Sequence, residues 1–231
     1  MDEDVKSNID NLEKKLGLEF ENHDLLLNAF VHRSFLNENN IAKESNERLE
    51  FLGDAVLELV ITEYLYSKYD KNEGELTAIR SALVRGKNLS LIAQELNLYD
   101  CLFLSIGERK SSEKAKSLIL ANALEALIGA IYLDCGYEKV KDFIIKNIAK
   151  RIDIVMEEKL YIDSKSELQE KAQENEKLTP HYKVLSEEGP DHNKKFTSGV
   201  YFGDKLIAKG VGSSKNLAEQ DAAQNALKEI N

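Results

Sequence analysis

Residues Asn46–Leu57 read NERLEFLGDAVL and place two carboxylates, Glu50 and Asp54, four positions apart in a stretch with helical spacing. On an α-helix such residues share one face, with Cβ atoms about 6 Å apart. Like charges at that spacing cost stability, and cost more where Leu49, Phe51, Leu52, Val56 and Leu57 draw the surface inward. A cation that bridges them turns the liability into a site. A second stretch, LILANALEALIGAIYLD over Leu118–Asp134, is nearly continuous in apolar residues, with Glu125 in its middle and Asn122 three positions earlier. A lone Glu among Leu124, Leu127, Ile128 and Ile131 is hard to bury unless it is paired or bound to metal. Two mostly buried helices, each with an inward acidic face, can meet and form one Mg²⁺ site. The competing reading of Glu125 is a buried salt bridge, with Arg80 or Lys116 as its cation.

The elements that must position these residues are read from pattern. The chain has 231 residues, 42% apolar and 31% charged, the composition of a globular protein with room for one large domain or two small ones. Before about residue 160 the periodicity is helical throughout. Asn8 to Leu16 forms a first helix ending at Gly17, and Asn22 caps a second that runs through Val31. A polar loop from Asn37 to Ser45 precedes the long helix that carries Glu50 and Asp54 to about Tyr69. Thr77 caps another, Asn88 to Leu96 makes a further one, and residues 110–116 read as a flexible connection into the second acidic helix. That helix ends near Gly136, and one more runs from Tyr137 to about Glu158.

After Tyr161 the pattern changes. Lys165 to Gln173 is a short amphipathic helix, and HYKVLSEE, KFTSGVYF and KLIAKGVG are three strand-type runs. Gly203-Asp204 turns between the last two, and Asn216 to Ile230 returns to helix with Ala218, Ala222, Ala223 and Ala226 at packing spacing. The expected architecture is an all-α domain over residues 1–160 followed by an α-β-β-β-α domain over residues 161–231.

Charge and cysteine content bound the function. The formal net charge of −10 argues against a basic nucleic-acid binder when taken alone. It is unevenly spread: residues 164–231 hold 10 Lys against 11 acidic residues, so one face there can be basic if the lysines cluster. Cys101 and Cys135 lack metal-ligand spacing and predict reduced thiols, hence a cytoplasmic location. No apolar run reaches the about 20 residues of a bilayer span, so no membrane partner is expected. The acidic start MDEDVKSNID does not read as a secretory signal.

At this point the chain resembles bacterial ribonuclease III. NERLEFLGDAV is similar to the motif of that family's nuclease domain, and ANALEALIGAIYLD to its second acidic motif. Gly189–His192 (GPDH) and Gly212–Leu227 (GSSKNLAEQDAAQNAL) resemble a double-stranded RNA-binding domain. The resemblance implies an all-α nuclease domain followed by an α+β double-stranded RNA-binding domain. It implies a Mg²⁺-dependent endoribonuclease, with Mn²⁺ able to substitute, that acts as a homodimer and cuts both strands of double-stranded RNA. Ribosomal RNA precursors and structured messages are the substrates implied. By position, Glu50, Asn122 and Glu125 match metal positions, and Asp54 and Glu125 catalytic ones. Glu47 and Glu73 match accessory acidic positions, and Phe51 the dimer-contact aromatic. RNA contacts are implied for Gln169 and Glu170 on the first helix, Pro190 and His192 in the loop, and Lys215 at the start of the last helix. His32 reads as a structural histidine.

Two positions depart from the family pattern. Asn122 stands where the family usually has Asp, so the ionised set carries three negative charges instead of four, and a hard cation is held less tightly. This leaves two outcomes: a working but more metal-demanding enzyme, or a binding protein that has lost cleavage. Asn216 stands where a second basic residue is common, which removes one phosphate contact and flattens the salt dependence of binding by roughly one unit of slope.

Overall fold

In the computed structural model, which describes residues 3–38, 44–157, 164–176, 178–190 and 194–230, the chain divides into two compact units, residues 1–161 and 162–231. The first is helical. Its elements are α1 (Glu3–Leu16), α2 (His23–Asn28), α3 (Arg33–Leu36), α4 (Glu47–Lys68), α5 (Glu73–Val84), α6 (Gly86–Glu95), α7 (Ile106–Arg109), α8 (Glu113–Asn147) and α9 (Ile152–Glu157). α4 and α8 pack along each other through the centre. Leu57, Val60 and Ile61 on α4 and Leu124, Leu127, Ile128 and Ile131 on α8 are fully buried. By length and composition the helical stretch Glu113–Glu157 could cross a bilayer, but its apolar face is the core of this unit.

Several helix ends differ from the sequence expectation, each for a local reason. α2 stops at Asn28 instead of running to Val31, because Val31 pairs with Phe103 in a parallel bridge that buries both. Asn22 does cap it, its side-chain oxygen accepting from Leu25 N at 3.2 Å. α5 is capped by Asn72, not Thr77. The Asn72 side chain accepts from Glu75 N at 2.9 Å and its amide donates to the Glu75 carboxylate at 3.0 Å, an arrangement that starts the helix five residues early, at Glu73 instead of Ala78. The connection before α8 is shorter than expected, since Ser112 caps the helix by accepting from Ala115 N. α8 breaks at Gly136, whose φ of +80° and ψ of 178° favour glycine. Directly after the break, Tyr137 donates its hydroxyl to Glu63 of α4, and Lys141 pairs with the same carboxylate at 2.8 Å. The helix then ends at Asn147, where the Asn147 amide bonds back to Phe143 O, so α9 is separate.

The second unit comprises α10 (Ser164–Glu176), β1 (His181–Glu188), β2 (Lys195–Phe202), β3 (Lys205–Gly212) and α11 (Lys215–Glu229). The strands form one antiparallel sheet in the order β1-β2-β3, with Gly203 at φ +57° in the β2–β3 turn. Both helices cover one face, burying Leu168, Ala172, Val200, Phe202, Ala222, Ala223, Ala226 and Leu227. The small alanines of α11 meet glycines on β3. A Cβ on Gly210 would collide with the Ala222 backbone nitrogen, and one on Gly212 with that of Ala218.

Candidate active site and RNA interface

The acidic residues converge because α4 and α8 touch backbone to backbone. A Cβ on Gly53 would overlap the carbonyl oxygen of Glu125 and lie 2.9 Å from Gly129 N, and one on Gly129 would overlap the carbonyl oxygen of Leu49. Only glycine at both positions permits this approach. It sets Glu50 and Asp54, which flank Gly53, against Glu125 and Asn122, one and two turns before Gly129. Sequence reasoning passed over both glycines, although an isolated Gly inside a strong helical pattern is a signal of close packing.

The N-terminus of α4 is fixed by Asn46. Its side chain does not cap the helix. Buried, it donates to Ala29 O at 3.1 Å, while its backbone N–H donates to Val31 O at 2.8 Å. Asn46 O in turn accepts from Glu50 N at 2.8 Å, so the first turn carrying Glu47 and Glu50 is anchored to the end of α2.

Glu125 is the most perturbed acid of the set. Burial pushes its carboxyl up to about 7, and the negative charges of Asp54 and then Glu50 push in the same direction. Glu50 is also raised, first by burial and then by Glu47, while a hydrogen bond from the Asn122 amide partly offsets this. The salt-bridge reading of Glu125 fails. Arg80 donates to Thr62 Oγ1 at 3.0 Å, Lys116 pairs with Glu113 at 3.1 Å, and neither reaches Glu125. A half-buried carboxylate facing two others is compensated only by protonation or by a cation. Three carboxylates and an amide are hard oxygen donors suited to Mg²⁺. Among the described residues no three His, Cys, Asp or Glu side chains form a ready-made ligand group.

The accessory residues are placed less tightly. Glu47 is exposed, accepts from Ser45 Oγ at 2.8 Å and lies 3.7 Å from Arg33. Glu73 opens α5 and accepts from Thr77 Oγ1, and among the described residues nothing joins it to Glu50, Asp54 or Glu125. His32 caps α3, its ring nitrogen accepting from Ser34 N, and burial lowers its pKa. Phe51 is 81% exposed, and Leu59 and Tyr66, further along the same stripe of α4, are exposed too.

In the small unit, Gln169 and Glu170 lie on an exposed face of α10, and Pro190 is exposed after Gly189. His192 lies outside the described residues. Lys215 is the first residue of α11, whose N-terminus is capped by Ser214 accepting from Leu217 N at 3.2 Å. Asn216 beside it is exposed. One contact was not legible in the sequence: Glu187 near the end of β1 pairs with Lys215 at 2.9 Å and with Lys194 at 3.6 Å.

A helical unit with an acidic crossing, followed by an α-β-β-β-α module with a lysine at its last helix start, is the arrangement that the resemblance to ribonuclease III implies. Comparison with known proteins agrees. Residues 22–152 match the family model described as Ribonuclease-III-like, and residues 164–230 the double-stranded RNA binding motif. Over 226 residues the chain is 45% identical to Ribonuclease 3 of Pelotomaculum thermopropionicum, covering 97% of this chain and 94% of that protein. It is 46% identical over 224 residues to Ribonuclease 3 of Carboxydothermus hydrogenoformans, covering 96% and 95%. The nuclease domain of ribonuclease III from Campylobacter jejuni, studied for flexibility in the region involved in its dimer formation, is similar at a TM-score of 0.56. It is 45% identical and is covered over 96% of its length by 62% of this chain. The chain belongs to the ribonuclease III family, and its function is that of an endoribonuclease acting on double-stranded RNA.

Proposed function

We propose that this endoribonuclease works as a Mg²⁺-dependent homodimer in the cytoplasm, with cleavage carried by residues 1–160 and duplex binding by residues 161–231. The observation that carries the metal reading is Glu125: a half-buried carboxylate with two acidic neighbours and, among the described residues, no cation of the protein beside it. Glu50, Asn122 and Glu125 would hold the ion, which when bound stabilises negative charge on the phosphate and the leaving oxygen. Asp54, exposed at the edge of the set, orients the attacking water. The water oxygen bonds to phosphorus, the bond to the 3′ oxygen breaks, and that oxygen takes up a proton. The products carry 5′-phosphate and 3′-hydroxyl ends, with short 3′ overhangs when both strands are cut. Glu47 and Glu73 serve as accessory acids at the rim. Precursors of ribosomal RNA and structured messages are the proposed substrates.

The exposed Phe51 supports a dimer, since a large aromatic on an apolar helix stripe is covered when a second copy packs on it. The dimer-forming nuclease domain of the Campylobacter jejuni relative supports the same reading. A-form RNA presents phosphates across a narrow major groove and 2′-hydroxyls in a shallow minor groove. Gln169, Pro190, His192 and Lys215 are proposed to span them.

The Asn122 amide bonds to Glu50, where the family pattern places a further carboxylate. This favours a metal-demanding variant of the same enzyme over a binding-only protein, because the amide oxygen is still a donor. A perfect RNA duplex incubated with the protein in Mg²⁺, in Mn²⁺ and in chelator tests the reading. Cleavage is expected with either metal, with a high half-saturation for Mg²⁺, and none in chelator. Undiminished cleavage in chelator would overturn the metal assignment, and no cleavage with either metal would leave binding as the function.

A further inference from the structure

The duplex-binding lysine at the start of α11 is already engaged. Lys215 Nζ lies 2.9 Å from Glu187 Oε1 and above the Phe196 ring at 5.8 Å. The same carboxylate faces Lys194 at 3.6 Å. Glu187 and Phe196 are opposed in the β1–β2 register, so the end of β1, the start of β2 and the N-terminus of α11 meet at one point. There one carboxylate gathers two lysines from separate parts of the sequence. Its side chain and that of Lys215 remain 36% and 59% exposed, so an incoming polyanion can reach the pair.

We propose that Glu187 is an affinity-setting residue of the RNA interface: its carboxylate occupies the place of an RNA phosphate between Lys194 and Lys215, and duplex RNA must displace it. This rests on the reading of Lys215 as a phosphate contact. A lysine that meets phosphate in the ordinary way releases a condensed counterion from the RNA, and this release drives binding and makes it salt-dependent. A lysine that leaves a carboxylate to do so uncovers a negative charge close to the incoming backbone. That charge repels the phosphates and offsets part of the gain. Hydrogen bonds from Lys215 and, more weakly, the charge of Lys194 keep the Glu187 carboxyl below its ordinary range, so it stays ionised wherever the lysines are charged. An exposed pair of this kind is weak enough to be broken by a duplex. The device suits a chain with net charge −10, in which residues 164–231 carry 11 acidic side chains against 10 lysines. Duplex RNA, with dense phosphates on both sides of a narrow groove, can displace the carboxylate, whereas a weaker anion does not.

The test is duplex binding by the full chain in chelator across a series of salt concentrations, for four proteins. Glu187→Gln keeps shape and removes the charge. Asp204→Asn, at the exposed β2–β3 turn, changes net charge equally without touching either lysine. Lys215→Gln removes the contact itself. Glu187→Gln is expected to bind roughly three- to tenfold tighter than wild type, with a salt slope steeper by about one unit. Asp204→Asn should stay close to wild type in both. Lys215→Gln should bind more weakly, with a shallower slope. If Lys215→Gln weakens binding but Glu187→Gln matches Asp204→Asn, Glu187 does not compete and the inference fails. If Glu187→Gln binds more weakly than wild type, the carboxylate orients the lysines instead, which also overturns it. If Lys215→Gln leaves affinity and slope unchanged, the phosphate reading of Lys215 is wrong, and the inference falls with it. Melting curves of all four proteins separate these results from loss of fold.

Discussion

In the helical unit the proposed catalytic charge sits on carboxylates gathered at a glycine-to-glycine helix crossing, with Glu125 facing Asp54 and Glu50 and, among the described residues, pairing with no lysine or arginine. In the small unit it sits on lysines at the edge of the sheet, and Lys215 already faces a carboxylate. In the proposed function both surfaces address RNA phosphate, by opposite routes. The first concentrates like charge and would be completed by a cation from solution. The second is neutralised within the protein and, on the inference above, would release an anion to bind. The burial of each follows from this. An uncompensated carboxyl can be kept near neutral by desolvation, so Glu125 is half-buried, whereas a lysine that exchanges partners has to remain in water.

The comparison is broken most directly at Glu125. Glu125→Gln preserves shape and removes the charge that calls for a cation. Cleavage should fall by about three orders of magnitude, roughly 4 kcal/mol of transition-state stabilisation, while duplex binding persists. Near-normal cleavage by the variant at limiting Mg²⁺ would show that the acid is structural.

The next largest effect separates the two glycine contacts. Gly129→Ala drives a methyl into the Leu49 carbonyl, and Gly210→Ala drives one into the Ala222 backbone nitrogen. Neither obstacle is a flexible side chain, so each should cost its own unit about 3 kcal/mol or more. Gly129→Ala should lose cleavage and keep duplex binding; Gly210→Ala should lose duplex binding and keep cleavage at low salt. The checks are thermal melting, a gel-shift assay and cleavage in parallel, and equal loss of both functions in both variants would mean that the units do not act separately.

Asn122→Asp sharpens the helical half of the comparison. It changes almost no volume, removes the amide that bonds to Glu50 and adds a fourth carboxylate. Without metal the variant should melt below wild type; with Mg²⁺ it should gain more stability, and its cleavage should reach half-maximum at about tenfold lower Mg²⁺, some 1.4 kcal/mol. Superimposable Mg²⁺ curves would exclude position 122 from the metal site.

The smallest effect is in pH. Burial and two neighbouring acids raise Glu125 from 4.5 to about 7. Between those values the folded protein holds a proton that the unfolded chain has released, so stability falls as pH rises. The contribution is whole below about pH 4.5 and gone above about pH 7. In chelator, the melting temperature of wild type relative to Glu125→Gln should decline across that window, by about 2–4 °C for each 1 kcal/mol. A relative melting temperature that climbs over the same range would mean that Glu125 is stabilised as the anion.

Local order was legible in the amino-acid sequence because it depends on backbone period and on what each residue type permits near its own position. The acidic pairs on two apolar helices follow from a period of 3.6 residues, the strand runs His181–Glu188, Lys195–Phe202 and Lys205–Gly212 from their β-branched and aromatic content, and the break at Gly136 from the residue type that takes positive φ. Helix ends were less legible, since Asn72 and Thr77 are both competent caps and only the Glu75 contact chooses between them. What tertiary structure alone decided is the meeting of residues far apart in the chain. Gly53 against Gly129 sets where α4 crosses α8, Asn46 ties that helix to Ala29 and Val31, and Glu187 reaches Lys215. Such contacts depend on whether atoms fit at van der Waals distance and whether charges can find one another, and a periodic pattern contains neither quantity.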